Sequence, residues 1–239
     1  MKISVCIPMY NENRIIAQSA RTLSDYMAAN FEDYEIIFSN DGSQDGCDKT
    51  VEALNLPCVR VIGDSVNRGK GYAVRQAILN ATGDVRIFTD ADLAYGTEVI
   101  GRIAELFEQN PDHDIIIGSR NLQKDGYEGY TFIRKLASKI YIRVLCIAGG
   151  FRLSDSQCGC KAFRASAAEK IFPRCEIDRF AFDFEAILWA LKLKLSILEM
   201  PVKIINHGES NVRIVRDSIR MIRDLRKMKK RIKKAKIDE

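Results

Sequence analysis

The sequence has almost no histidine: His113 and His207 stand alone and share no motif, so neither is assigned a catalytic role. It also lacks a long apolar run. The longest, such as the stretch from Val144 to Phe151, stops far short of the roughly 20 residues that cross a bilayer. Its seven cysteines are odd in number and irregular in spacing, which excludes a disulfide scaffold and fits a reducing compartment. With no apolar secretory segment ahead of them, a cytosolic location is expected. No linker, internal repeat or low-complexity segment interrupts the chain before residue 213. A P-loop is missing as well. Between Gly63 and Gly69 lie five residues rather than four, and Gly71 follows Lys70 where Ser or Thr is required.

What remains is ordinary in bulk and uneven in charge. The 239 residues are 46% hydrophobic and 29% charged, enough for a proper core. The net charge of +5 is a property of the tail: residues 213–239 hold 12 Lys/Arg against 4 Asp/Glu, which leaves residues 1–212 mildly acidic. An acidic body argues against a nucleic-acid enzyme, whose groove is itself basic. A basic tail argues for contact with something anionic.

Through the first half, short β-branched runs alternate with segments of helical periodicity. Strands are expected at "KISVCIP", "YEIIFS", "VRVIG", "VRIFT" and "DIIIGS", with helices between them. This order predicts an α/β fold with a mostly parallel central sheet and helices on both faces. The second half is less regular, with a helix near residues 131–148, a strand at "CGCKAF", a helix in "FDFEAILWALKL" and one or two strands in "LSILEMPVKII". Ligands of such sheets bind beyond the carboxyl ends of the strands, where "MYNEN", "NDGSQD", "DSVNRGKG", "DADLAY" and "SRNLQ" all fall.

Asp90 and Asp92 are the sharpest chemical signal. If the strand before them continued, they would share one face, with Ala91 turned away. Two crowded carboxylates suit Mg²⁺ or Mn²⁺ and a diphosphate, although a solvated turn would contain the same residues. Asp41, after a buried strand, could accept from a nucleobase N–H or simply close an Asx turn. Gly69 and Gly71 would let a phosphate approach a helix N-terminus near Lys70, or they simply form a flexible helix-entry loop with solvated charges. Arg120, Arg134 and Lys135 offer cations for a phosphate, arginine being suited to bidentate recognition, although isolated arginines are more often surface residues. Asp155, Gln157 and Lys161 flank a Cys158/Cys160 pair that lacks zinc-type companions and reads as structural thiols. Asp183 and Glu185, among phenylalanines, are candidates for a base or a sugar contact, and Asp183 equally for a helix cap.

Taken in order, "IPMYNE", "NDGSQD", "NRGKGYAVRQAI", "TDADLA", "GSR", "DSQCGCKAF", "FDFE" and "MPVKI" resemble the family 2 glycosyltransferases of GT-A fold. The likeness runs from Ile3 to about Asp224 and is greatest for dolichyl- or polyprenyl-phosphate β-glucosyltransferases. Cys160 departs from that pattern, which carries Phe there. The resemblance implies a nucleotide pocket lined by Pro8, Tyr10, Glu12 and Asp41 with Lys70 nearby. It assigns Asp90 and Asp92 to the metal and donor diphosphate, sets Asp155, Gln157 and Asp183 at the border of the sugar, and makes Asp92, Asp155 and Asp183 the catalytic carboxylates. Arg120 and Arg134 would hold the acceptor phosphate. The implied reaction moves a hexose, glucose from UDP-glucose, onto a polyprenyl phosphate with inversion. Rival readings are transfer to a saccharide hydroxyl, mannosyl transfer from GDP-mannose, nucleotidyl transfer, and a nucleic-acid-binding protein.

In the tail, Val215, Ile219, Ile222, Leu225, Met228 and Ile232 recur at three- and four-residue spacing among basic residues. That pattern predicts a basic amphipathic helix on residues 213–239, following a catalytic domain on residues 1–212. It would attach the protein peripherally to the inner face of a membrane, alone or with a membrane partner, although a solvated helix or an oligomer contact would show the same pattern.

Overall fold

A computed structural model describes residues 1–206, 225 and 228–236, excluding the side chains of Ile133, Arg134 and Ala137. The elements are β1 (Ile3–Met9), α1 (Asn13–Asn30), β2 (Tyr34–Asp41), α2 (Cys47–Ala53), β3 (Val59–Asp64), α3 (Lys70–Asn80) and β4 (Val85–Thr89). There follow α4 (Glu98–Gln109), β5 (Ile115–Ser119), α5 (Phe132–Gly149), β6 (Cys160–Arg164), α6 (Ala165–Ile171), α7 (Phe182–Lys192) and β7 (Ile197–Pro201). All seven strands lie where the apolar runs place them. Helix α6, seven residues directly after β6, was not anticipated.

The strands form one sheet in the order β3-β2-β1-β4-β6-β5-β7. Only β6 runs antiparallel to its neighbours. Side-chain alternation then splits the core in two. Ile3, Val5 and Ile7 of β1 join a cluster with Ile16 and Leu23 of α1 and Phe107 of α4. Cys6, between them, joins the opposite cluster with Val74 and Ile78 of α3 and Phe184 of α7. Helices therefore cover both faces, which is why β1 reads as an unbroken apolar run rather than an alternating one. After β1 the chain lays β2 and β3 on one side and then returns to place β4 on the other. That reversal opens a crevice at the carboxyl ends of β1 and β4.

The opposite end of the sheet is clamped by Glu35. Its carboxylate accepts from Ser4 Oγ at 2.7 Å, from Thr82 N and Oγ at 2.6 and 2.8 Å, and from Arg60 at 3.1 Å. Burial alone would raise its pKa, but these four donors together bring it down to about 2.

The tail departs from expectation. Residues 228–234 are helical, yet Leu225, Met228 and Ile232 are only 1%, 2% and 5% exposed and join the core cluster on the α7 side. Arg231 pairs with Glu176 and Glu185, and Lys229 donates to the Ala148 carbonyl at 2.7 Å. The described part of the apolar stripe thus turns inward. Helical spacing marks a face that must be covered but not what covers it, and here the body does. Val215, Ile219, Ile222 and the expected boundary at residue 212 lie outside the described residues.

Two measurements check these points. Met228→Ala should cost about 2–5 kcal/mol in denaturant unfolding, as for a core methionine; a residue facing water or lipid would change stability by no more than about 0.5 kcal/mol. Because Glu35 titrates lower folded than unfolded, its contribution is present above about 4.5 and lost as pH falls toward about 2. Glu35→Gln should remove that part of the acid-induced loss, on the order of 3 kcal/mol.

Candidate active site

Four loops meet in the crevice, and hydrogen bonds between them show how. Beyond β1, Asn11 sits at φ 54°; its N–H donates to Ser43 Oγ and its side-chain oxygen accepts from Gln44 N. Asn13 N donates to Asp45 at 2.8 Å. These bonds join the "YNEN" loop to "GSQD" after β2. Asp41, 3% exposed, accepts from Gly69 N at 2.9 Å, Arg68 N at 2.9 Å and Asn67 Nδ2 at 3.0 Å. It ties the loop after β2 to the one before α3. Lys70, the first residue of α3, then reaches Asp90 beyond β4 at 2.5 Å.

Asp90 and Asp92 lie past the end of β4 in a turn, not on the strand as the alternation argument supposed. The Leu93 N–H donates to the Asp90 carbonyl at 3.0 Å, and Ala94 N donates to the Asp92 carboxylate at 3.1 Å. Ala91 is buried between them. Asn206, after β7, pins the same turn by donating to the Leu93 carbonyl at 3.0 Å. Opposite it stands Gly159, where a Cβ would lie 2.2 Å from Asp90 Oδ2. Only glycine leaves this carboxylate its place.

The crevice concentrates negative charge. Burial, followed by the proximity of Asp90, raises Asp92. Burial and then Asp92, Asp45 and Asp90 raise Glu12. Burial also raises Asp183, against the pull of Lys161 at 2.7 Å. Burial opposes the charge on Lys70, but Asp90 outweighs it and holds the ammonium above its usual value. Lys161, 1% exposed, also donates to the Cys158 carbonyl at 2.6 Å. Sequence reasoning gave Lys161 no role; a lone lysine in the apolar run "CKAF" is the signal that it needed a buried partner.

Five expectations change. Asp41 spends its carboxylate on loop backbone, so recognition of a nucleobase there would have to break those bonds. The α3 N-terminus is only partly open to phosphate, because Gly69 N is held by Asp41 and Tyr72 N by the Asp178 carbonyl at 3.0 Å. Arg120 does not wait for an acceptor: its Nε and Nη2 grip Asp155 at 2.6 and 3.0 Å, with both residues buried. Asp155, fully buried, cannot border the sugar. Glu185 is equally buried and accepts from Glu176 N and Ile177 N at 2.9 and 2.7 Å, which excludes it as a base. These groups are polar because they hold loops, a use that sequence alone does not separate from ligand binding.

Pro8 is the penultimate residue of buried strand β1, and Tyr10 stands 46% exposed just beyond the strand. Arg134 belongs to α5, but its side chain lies outside the described residues. Cys158 and Cys160 are free and buried, with burial pushing the Cys158 thiol up to about 11, as structural thiols should be. Among the described residues no three His, Cys, Asp or Glu side chains gather as a ready metal cage.

A seven-stranded sheet carrying an acidic, lysine-matched crevice at its switch point defines the class, and the chain belongs to glycosyl transferase family 2, whose model matches residues 4–172. The dolichyl-phosphate beta-glucosyltransferase of Dictyostelium discoideum is 32% identical over 216 residues, covering 84% of this chain and 65% of that protein. That of Saccharomyces cerevisiae is 31% identical over 238 residues, covering 92% and 71%. The chain thus spans about two thirds of the length of the curated relatives it matches. Among solved structures, glucosyl-3-phosphoglycerate synthase from Mycobacterium tuberculosis, in complex with phosphoglyceric acid, superposes with a TM-score of 0.72 at 16% identity, over 95% of this chain and 79% of that one. The same enzyme crystallised with Mn²⁺, UDP and phosphoglyceric acid gives 0.71 at 14% identity, over 99% and 80%. The fold is therefore the GT-A arrangement that the sequence resemblance implied.

The buried Arg120–Asp155 pair makes a direct test. Asp155→Ala leaves an unmatched guanidinium in the interior and should cost about 3–5 kcal/mol by denaturant unfolding. Replacing both residues with apolar side chains of similar volume should recover much of that loss.

Proposed function

We propose that the protein is an inverting glycosyltransferase that moves a hexose, glucose from UDP-glucose, onto a polyprenyl or dolichyl phosphate to give a β-linked lipid-phosphate sugar. The observation that carries this reading is the Asp90–Asp92 turn held against Lys70 at the switch point of a family 2 chain. The names of its relatives at about 30% identity supply the substrate classes.

Asp90 and Asp92 fit a divalent cation by donor chemistry. They offer hard carboxylate oxygens at a place kept open by Gly159, and Mg²⁺ or Mn²⁺ sites in nucleotide enzymes typically use one or two carboxylates plus substrate phosphates. A bound Mg²⁺ or Mn²⁺ supplies charge that stabilises the departing diphosphate. Lys70 already supplies a cation on the same carboxylate, and its four-carbon stem lets it move from Asp90 to a donor phosphate. Glu12, Tyr10 and Pro8 form the β1 side of the donor pocket.

The fate of the acidic residues favours a phosphate acceptor. Transfer to a saccharide hydroxyl would call for a base from Asp183 or Glu185, but Glu185 is buried on backbone N–H groups and Asp183 is held by Lys161. A phosphate monoester has a second pKa of about 6 and at neutral pH is already largely the dianion. Its oxygen attacks the anomeric carbon as the bond from that carbon to the diphosphate breaks, so the enzyme must chiefly align the two. Asp183, at the head of α7, is paired with Lys161 and lies within electrostatic reach of Lys70 and Asp90, which supports a place for it near the reacting sugar. No described helix is long and apolar enough to cross a membrane.

The test is transfer of labelled glucose from UDP-glucose to a polyprenyl phosphate with Mg²⁺ or Mn²⁺. Wild type should form lipid-phosphate glucose and release UDP, and EDTA should abolish both. Asp92→Ala should lose at least about 100-fold in kcat/KM, about 2.7 kcal/mol of barrier. Release of pyrophosphate instead, or turnover indifferent to the Asp92 substitution, would overturn the assignment.

A further inference from the structure

Helix α3 begins at the crevice with no side-chain cap of its own. Its first turn is held instead from across the fold. The Tyr72 N–H donates to the Asp178 carbonyl at 3.0 Å, and Arg75, three residues on, donates to the Asp178 carboxylate at 2.6 Å. Residues 177–179 press closely on the same turn. A Cβ on Gly69 would stand 2.4 Å from the Asp178 carbonyl oxygen, and one on Gly71 would stand 2.6 Å from that of Ile177 and 2.8 Å from that of Arg179. Real Cβ atoms do not come within 3.0 Å of such neighbours, so the two glycines make room for this segment. Three successive carbonyls thus lie at the positive end of α3, where orphan N–H groups need acceptors. Lys70 stands between those glycines and reaches Asp90 at 2.5 Å. The fit of residues 177–179 therefore sets where the crevice ammonium starts.

That segment is held in turn by Glu185, the acid of "FDFE" that burial excludes as a base. One oxygen of its fully buried carboxylate accepts from Glu176 N and Ile177 N at 2.9 and 2.7 Å. The other accepts from Arg231 Nη2, on the helical residues 228–234, and Arg231 Nη1 pairs with Glu176. A buried carboxylate must be matched by a cation or take up a proton, and Arg231 supplies the cation. The buried Met228 and Ile232 fix the turn of helix that presents it. A chain of contacts therefore runs from Arg231 through Glu185 and residues 176–179 to the first turn of α3.

We propose that Glu185 and Arg231 are positioning residues of the crevice: they brace residues 176–179 against the entry of α3 and so set Lys70 against Asp90 and the donor diphosphate. Neither touches the reacting atoms. The described end of the chain, which lies far from the crevice in sequence, acts on it through four backbone and side-chain links. The part played at the diphosphate rests on the transferase reading above; the brace itself rests on the hydrogen bonds and the close approach at Gly69 and Gly71.

The test compares Arg231→Ala, Arg231→Lys and Glu185→Gln in the full chain with Leu23→Ala, a core truncation on the opposite face of the sheet that lowers stability without touching the brace. Two readouts are taken where all variants remain folded. One is amide hydrogen exchange at Tyr72, Glu176 and Ile177 relative to the amides of β5; the other is calorimetric binding of UDP with Mn²⁺, which needs no turnover. In Arg231→Ala, relative exchange at the three amides should rise at least about tenfold and UDP affinity should fall at least about fivefold. Leu23→Ala should change neither. Arg231→Lys, which keeps the charge but not the fork, should lie between Arg231→Ala and wild type. Glu185→Gln keeps an oxygen for the loop but turns an NH₂ group toward Arg231, so it should weaken UDP binding, and adding Arg231→Ala to it should change little. If Arg231→Ala does not fold, these two variants carry the same comparison. Lys70→Ala should weaken UDP binding by itself and leave Arg231→Ala nothing further to remove. Unchanged exchange at Tyr72 overturns the brace. A loss of UDP affinity that adds in full to that of Lys70→Ala overturns the action through Lys70. If the exchange pattern holds but wild type binds no UDP, the brace stands and the UDP-glucose reading falls. If UDP binds and Arg231→Ala transfers glucose with unchanged kcat and KM, the proposal falls and the transferase reading stands.

Discussion

The structure turns on the neutralisation of carboxylates gathered at one end of a parallel sheet. Asp90, Asp155 and Asp183 are each drawn out of bulk water, and each is met by one cation from a different segment: Lys70, Arg120 and Lys161. A buried carboxylate without such a partner would take up a proton or unfold its loop. Each pair therefore also fixes the position of a loop. Lys70–Asp90 sets the entry of α3 against the end of β4. Lys161–Asp183 sets β6 against α7, and Arg120–Asp155 sets the end of β5 against the run into β6.

The pairs differ in how freely they can change partner. Arg120 and Asp155 are closed on each other in a bidentate fork and shielded from water, a fit for permanent structure. Lys70 and Asp90 are half-exposed and joined through a single flexible ammonium, a fit for exchange when a charged ligand arrives. The same attraction thus builds a scaffold in one place and leaves an adaptable charge in another, and burial decides which. The proposed donor chemistry uses the adaptable pair.

The apolar surfaces follow a similar division. The stripe of the tail is covered by the body, where Leu225, Met228 and Ile232 complete the core beside α7. A second stripe, Phe132, Leu136, Ile140, Val144 and Ile147 of α5, stays exposed. Both have helical spacing and basic neighbours, so their fates differ only through what the fold places opposite them.

Strand positions, sheet class and the location of the crevice were legible in the sequence. They depend on local hydrophobic runs and on the rule that alternating strands and helices wind into a sheet whose loops collect at one edge. Eight short motifs in order were enough to identify the family. Partner choice was not legible. Whether Arg120 grips a ligand or Asp155, whether Asp41 meets a base or a backbone N–H, and whether Asp90 and Asp92 share a strand or a turn depend on contacts between residues far apart in the chain, 35 apart for Arg120 and Asp155 and 113 for Asn206 and Leu93. Composition and spacing decide which residues must be buried or paired; only the packed chain decides with what, because hydrogen bonds and ion pairs are matters of a few ångströms that sequence distance does not encode.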